Sequence, residues 1–72
     1  MKLNEYVKSL TENFRENLIV VNKLNDNGFS DQVYIGSTEF AFDNEDFLNH
    51  QDYNVLTITG GAGEALSVLI EE

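Results

Sequence analysis

Leu3, Tyr6, Val7, Leu10 and Phe14 recur at intervals of three and four residues through "KLNEYVKSLTENFREN". That spacing lines one face of an α-helix. Glu5, Lys8, Glu12 and Arg15 fall on the other face, and Glu5–Lys8 and Glu12–Arg15 stand three apart, where opposite charges meet. Ser9 and Glu12 imitate a capping box, but the apolar stripe runs straight through them, so one continuous helix is expected. The period then changes. "LIVVNKL" (18–24) is short and β-branched, which predicts a strand. Asn27-Gly28 is the preferred pair for a two-residue type I′ hairpin, because both positions need positive φ. Such a loop pairs Asp26 with Phe29 and, counted back, sets Val21 opposite Tyr34 and Val20 opposite Ile35. Apolar then meets apolar on both faces.

The second strand runs through "QVYIG" and toward "STEFAF", with Gly36 expected as a bulge or bend. "DNEDFLNH" reads as one or two helical turns near 43–50, with Asp43 or Asn44 as N-cap and acids in the first turn. "YNVLTIT" predicts a third strand, "GGAGE" a loop and "ALSVLI" a fourth strand. A helix is the weaker reading of that last segment: Glu71 and Glu72 would sit at the wrong end of its dipole, and Val68 and Ile70 favour a strand. The order predicts an α+β fold, an N-terminal amphipathic helix packed on a mostly antiparallel sheet of about four strands. Strands one and three are apolar on both faces, yet a single helix covers one face only. Either the 43–50 segment or another chain must cover the other.

Seventy-two residues make one domain, 1–72, near the lower limit for an independent core, since a chain this short buries only about 60% of its unfolded surface. There is no Cys to reinforce it. A hydrophobic fraction of 42% excludes a disordered acidic tail. The longest aliphatic run, Leu18 to Val21, is far too short to span a bilayer, so a cytoplasmic protein is expected.

Charge alters the picture most. Residues 1–23 balance at +1, whereas residues 24–72 hold ten carboxylates and no Lys or Arg, giving a net charge of -9. Such a field repels nucleic acid and anionic lipid and steers cationic partners. Neither direct nucleic-acid binding nor membrane binding is therefore expected. The densest stretch is "TEFAFDNEDFLNHQD" (38–52), with Glu39, Asp43, Glu45, Asp46 and Asp52 and no basic residue except His50.

That stretch fits no calcium loop. From Asp43, position 5 is Phe47 and position 6 is Leu48; from Asp31, position 3 is Val33 and position 12 is Phe42. Asp46 and His50 are four apart, as zinc or nickel ligands can be, but zinc sites draw mainly on Cys and His, and with one His and no Cys an exposed His beside an acid is the better reading. The four serines share a single His and none sits in a nucleophile elbow. Gly61-x-Gly63 begins a dinucleotide fingerprint, but Leu66 takes the third glycine position and no βαβ unit follows. No enzyme activity or cofactor is expected, and the one metal reading left open is an irregular cation site. What remains is a protein–protein surface in which the acids set encounter and orientation, while Phe40, Phe47 or Tyr53 anchors the contact. The competing reading is a solvated corner whose aromatics belong to the core.

The size, the helix-then-antiparallel-strands order and the carboxylates Glu39, Asp43, Glu45, Asp46 and Asp52 resemble the small acidic proteins of phages and mobile elements, including anti-CRISPR proteins and other DNA mimics. The opening "MKLNEYVKSLTENF" is also similar to the N-terminal helix of many short phage proteins. The resemblance implies carboxylates that stand in for phosphates in the basic groove of a nuclease or other nucleic-acid-binding protein, which such a protein binds and can inhibit. The alternative expectation is a structural or accessory module that forms a homodimer through an apolar sheet face.

Overall fold

A computed structural model describes residues 1–12, 18–60 and 64–72 of the chain. Phe14, the Glu12–Arg15 pair and the Gly61-x-Gly63 stretch singled out above fall wholly or partly outside the described residues. Helix α1 (Leu3–Glu12) buries Leu3, Val7 and Leu10, the face that the apolar spacing marks. Its free N–H groups are capped by main chain from a distant segment. Leu3 N–H donates to the Tyr53 carbonyl and Asn4 N–H to the Gln51 carbonyl, both at 2.9 Å, while Lys2 N–H donates to the Glu5 carboxylate.

Strands β1 (Leu18–Leu24) and β2 (Ser30–Ser37) form the first hairpin. Val21 does face Tyr34 and Val20 faces Ile35. The turn between them differs from the expected two-residue loop. Asn25 N–H donates to the Phe29 carbonyl and Gly28 N–H to the Asn25 carbonyl, with Gly28 at φ 87°. This is a three-residue loop with glycine in the left-handed position. Its extra residue is absorbed by a bulge at Val33, so the register beyond is the expected one. Gly36 is therefore not the bulge. The chain leaves β2 into a 3-10 helix (Thr38–Asp43) rather than continuing as a strand, and helix α2 (Glu45–His50) follows.

Strands β3 (Asn54–Thr59) and β4 (Leu66–Glu71) form the second, antiparallel pair. The last segment is a strand. The two hairpins join through their inner strands: β1 and β4 run parallel, and the sheet order is β2-β1-β4-β3. Two of the three pairings are antiparallel, and the central one makes the sheet mixed. Met1–Leu3 pairs along the start of β3, where Val55 N–H donates to the Met1 carbonyl.

One face of this sheet carries the core. Ile19, Val21, Val68 and Ile70 are fully buried there beneath Leu3, Val7, Ala41 and Phe47. Burial of each of these side chains larger than Ala41 stabilises the fold by about 1.5–3 kcal/mol. Helices α1 and α2 and the 3-10 helix thus cover the same face. The 43–50 segment does not cover the opposite one, where Leu18 and Ile35 remain 61% exposed. Among the described residues no helix is long and apolar enough to cross a membrane.

Candidate functional site

Thr38, Ala41 and Phe47 are buried and Asn44 is half-buried, so every third residue of the acidic stretch points to the sheet. A 3-10 helix stacks residues three apart, and the run 38, 41, 44, 47 carries that alignment into α2. Glu39, Phe40, Asp43, Glu45 and Asp46 occupy the intervening positions and are all exposed. Asn44 joins the two helices. Its N–H donates to the Ala41 carbonyl at 3.1 Å, ending the 3-10 helix, while its side-chain oxygen accepts from Phe47 N–H at 2.9 Å, starting α2. Ser37 performs the same capping role upstream, accepting from Glu39 N–H at 3.2 Å. Glu45 and Asp46 then lie in the first turn of α2, where the free amides favour negative charge.

Four of the five singled-out carboxylates therefore share one short ribbon. Asp52 stands apart, beyond α2, where it accepts from the Asn4 side-chain amide at 3.2 Å beside the start of α1. The three candidate anchors also separate. Phe40 is 59% exposed amid the acids, whereas Phe47 is 0% exposed and belongs to the core. Its ring stands edge-on to Tyr34 at 5.7 Å and to Phe42 at 5.2 Å between centroids. Phe47 is thus withdrawn as a contact residue. Its place in the three-residue run turns it inward. Tyr53 is half-buried between the His50 ring, 4.9 Å away, and the Lys23 ammonium, 5.7 Å from its centroid.

The ribbon has a basic border, because the Lys8 ammonium lies 5.9 Å from the Phe42 ring. Inward, the charge of Asp43 reaches Tyr34. Burial first, and then the Asp43 carboxylate, raise the Tyr34 phenol above its ordinary pKa. His50 Nδ1 lies 2.7 Å from the main-chain carbonyl oxygen of Asp46, so the i,i+4 pair meets through backbone rather than through its carboxylate. Among the described residues no group of three or more His, Asp or Glu is placed to hold a metal. A crevice of about 380 Å³ opens at the ends of β1 and β4, between Lys23–Asp26 and Glu71–Glu72, and none of the ribbon residues lines it.

Among the exposed apolar side chains, Leu48 and Phe29 were not singled out as contact residues from the sequence. Leu48 is exposed on α2 beside Phe47, and Phe29 projects from the tip of the first hairpin. Both adjoin residues that read as ordinary helix or turn positions, so no local pattern marked them. Comparison with family models, with curated proteins and with solved structures finds no match to this chain.

Proposed function

We propose that this chain is a non-enzymatic interaction protein of the cytoplasm that binds a basic nucleic-acid-binding protein through its acidic ribbon and occupies the groove meant for phosphate. One observation carries the reading. Glu39, Asp43, Glu45 and Asp46 project from eight consecutive residues that contain no Lys or Arg, with the Phe40 ring exposed among them.

The chemistry follows from the geometry. Duplex DNA presents about one charge per 1.7 Å of axis, and its binders are correspondingly basic. The ribbon carries its charges on backbone fixed by the Ser37 and Asn44 caps and by buried Phe47, so little ordering remains to be done on binding. The carboxylates speed encounter and set orientation, and Phe40 supplies the apolar contact that slows dissociation. The same reading puts the chain among the inhibitors that phages and mobile elements carry.

The test is a pull-down with immobilised protein from source-organism lysate at low salt, with and without competing duplex DNA. A nucleic-acid-binding protein retained alone and displaced by DNA is the expected result. The triple variant D43K/E45K/D46K should lose that protein while keeping its circular dichroism. A partner that DNA does not displace, or that the triple variant holds equally well at low salt, overturns the reading.

A further inference from the structure

Asn27-Gly28, at the tip of the first hairpin, pairs a side-chain amide with the main-chain nitrogen best able to attack it. Of the nine asparagines in the chain, Asn27 is the one followed by glycine. A side chain on the following residue crowds that nitrogen, and glycine has none. The remaining described asparagines are also more confined. Asn4 and Asn49 lie in helices, Asn22 and Asn54 lie in strands, and Asn25 and Asn44 are half-buried. Asn27 and Gly28 are both exposed, and a Cβ at position 28 would meet nothing within 4 Å, so nothing packs against the glycine.

We propose that Asn27 is a site of spontaneous deamidation and isomerisation in the folded chain, reached by opening of the hairpin tip alone. The Gly28 main-chain nitrogen loses its proton and attacks Cγ of Asn27. The new N–Cγ bond closes a five-membered succinimide, and the Cγ–Nδ2 bond breaks to release ammonia, which carries the proton away. Water then adds across one of the two ring C–N bonds. Opening at Cγ gives aspartate. Opening at the main-chain carbonyl gives isoaspartate, in which the chain runs through the side-chain carbons. Water is the sole co-reactant. The site lies outside the acidic ribbon, and its chemistry does not depend on what the ribbon binds.

The closed tip holds both reacting groups. Gly28 N–H donates to the Asn25 carbonyl at 3.0 Å, and Asn27 Oδ1 accepts from Phe29 N–H at 3.0 Å. Attack requires the first bond to break, so that the nitrogen can ionise and turn onto Cγ. The second must yield as the amide swings into the ring. Two net hydrogen bonds slow the reaction about five- to hundredfold relative to the unfolded chain. The rest of the hairpin stays closed. Below the tip, Asn25 N–H donates to the Phe29 carbonyl at 2.8 Å and the Asn25 amide donates to the Asp31 carboxylate at 2.7 Å. Exposed turns with few apolar contacts open at the low end of a fold's range of free energies. Either product adds a carboxylate beside Asp26 to a chain already at -9. Aspartate keeps an oxygen for Phe29 N–H, whereas isoaspartate lengthens the main chain of the loop and misaligns the Gly28–Asn25 bond.

The test incubates purified wild-type chain at neutral and mildly alkaline pH in a urea series that runs from below to above its unfolding transition. Intact mass reports the replacement of NH by O, and peptide mapping locates it and separates isoaspartate from aspartate. Tip opening exposes little surface, so urea barely changes it, whereas global unfolding follows the full urea slope. The expected product is confined to position 27, and its rate rises with hydroxide concentration. That rate stays nearly level with urea below the transition and climbs about five- to hundredfold through it. Asn27→Gln should abolish the product with unchanged circular dichroism, because its ring closure is a slower six-membered one. A rate that tracks the unfolded fraction at every urea concentration, first conversion at another asparagine, or a product that persists in Asn27→Gln overturns the proposal.

Discussion

Phe47 meets Tyr34 edge-on, with ring centroids 5.7 Å apart and planes at 68°, and that contact joins the acidic ribbon to the sheet. Phe47 descends from α2, and Tyr34 rises from β2, the outer strand of the first hairpin. Edge-to-face rings add about 0.5–1.5 kcal/mol beyond burial, and Phe47 makes a second such contact with Phe42. The ribbon is therefore seated by its aromatic underside, and the charges above it ride on a packed layer.

Phe47 and Phe40 are accordingly expected to separate on substitution. Phe47→Leu removes two aromatic contacts from a full site and should cost about 1–3 kcal/mol; Phe47→Ala should cost about 3–5 kcal/mol, enough to unfold much of so small a chain. Phe40→Ala, at an exposed site, should stay within about 0.5 kcal/mol of wild type. Urea denaturation of the three variants decides it. Equal costs at positions 40 and 47 would show that the ribbon is not seated as described.

Gly36 lies under the same tyrosine. A Cβ at position 36 would stand 2.7 Å from the Tyr34 hydroxyl oxygen, which donates to the Ser37 carbonyl, also at 2.7 Å. Gly36→Ala must displace that ring and should destabilise by about 1–3 kcal/mol. In a Tyr34→Phe background the nearest clashing atom is gone, so the added cost of Gly36→Ala should shrink by about 1 kcal/mol. A double-mutant cycle with no coupling between positions 34 and 36 would rule out this cause.

How much of this was legible depends on how local each signal is. The buried face of α1 and the Val21–Tyr34 register follow from spacing alone, and the structure repeats both. The turn did not follow. Asn27-Gly28 serves a two-residue or a three-residue loop, and the choice depends on whether β2 can absorb one residue, which it does at Val33. The parallel β1–β4 pairing is a contact between hairpins, and nothing within either one specifies which strands join. Phe47 was misread as a candidate anchor because its inward turn rests on a three-residue run that crosses two helix types. The open sheet face was visible in β1, apolar on both sides, but not in β3, where a bulge at Leu56 puts Ile58 on the same face as Val55 and leaves Thr57 and Thr59 on the open one. Of the candidate site, the run of carboxylates is plain in the sequence itself, while its division into a ribbon and a separate Asp52 needed the fold.

The Asn44 cap ties the ribbon's geometry to a single side-chain oxygen. Asn44→Ala leaves Phe47 N–H without its acceptor and should cost about 1 kcal/mol. Asn44→Asp keeps the acceptor and places a charge where the helix amides favour it, so its cost should be smaller. Denaturation midpoints measure both. If the aspartate variant loses as much as the alanine one, capping is not what Asn44 contributes.

Tyr34 gives the fold an alkaline limit. Burial, and then the neighbouring Asp43 charge, raise its phenol above the ordinary value of 10.0. The folded state therefore holds the phenolic proton more tightly than the unfolded chain does. Tyr34's contribution to stability is fully present below about pH 10 and declines as pH rises through the raised folded value. Tyr6, also raised by burial, acts in the same direction, so Tyr34→Phe should reduce the alkaline loss without abolishing it. Asp43→Asn should reduce it by less, because it removes only the smaller of the two causes. Urea unfolding free energies between pH 8 and pH 11 measure each slope, with Tyr34→Phe offset downward below pH 10 by about 1 kcal/mol for its lost hydrogen bond to the Ser37 carbonyl. A slope in Tyr34→Phe equal to that of wild type would mean that Tyr34 ionises as freely in the folded chain as in the unfolded one.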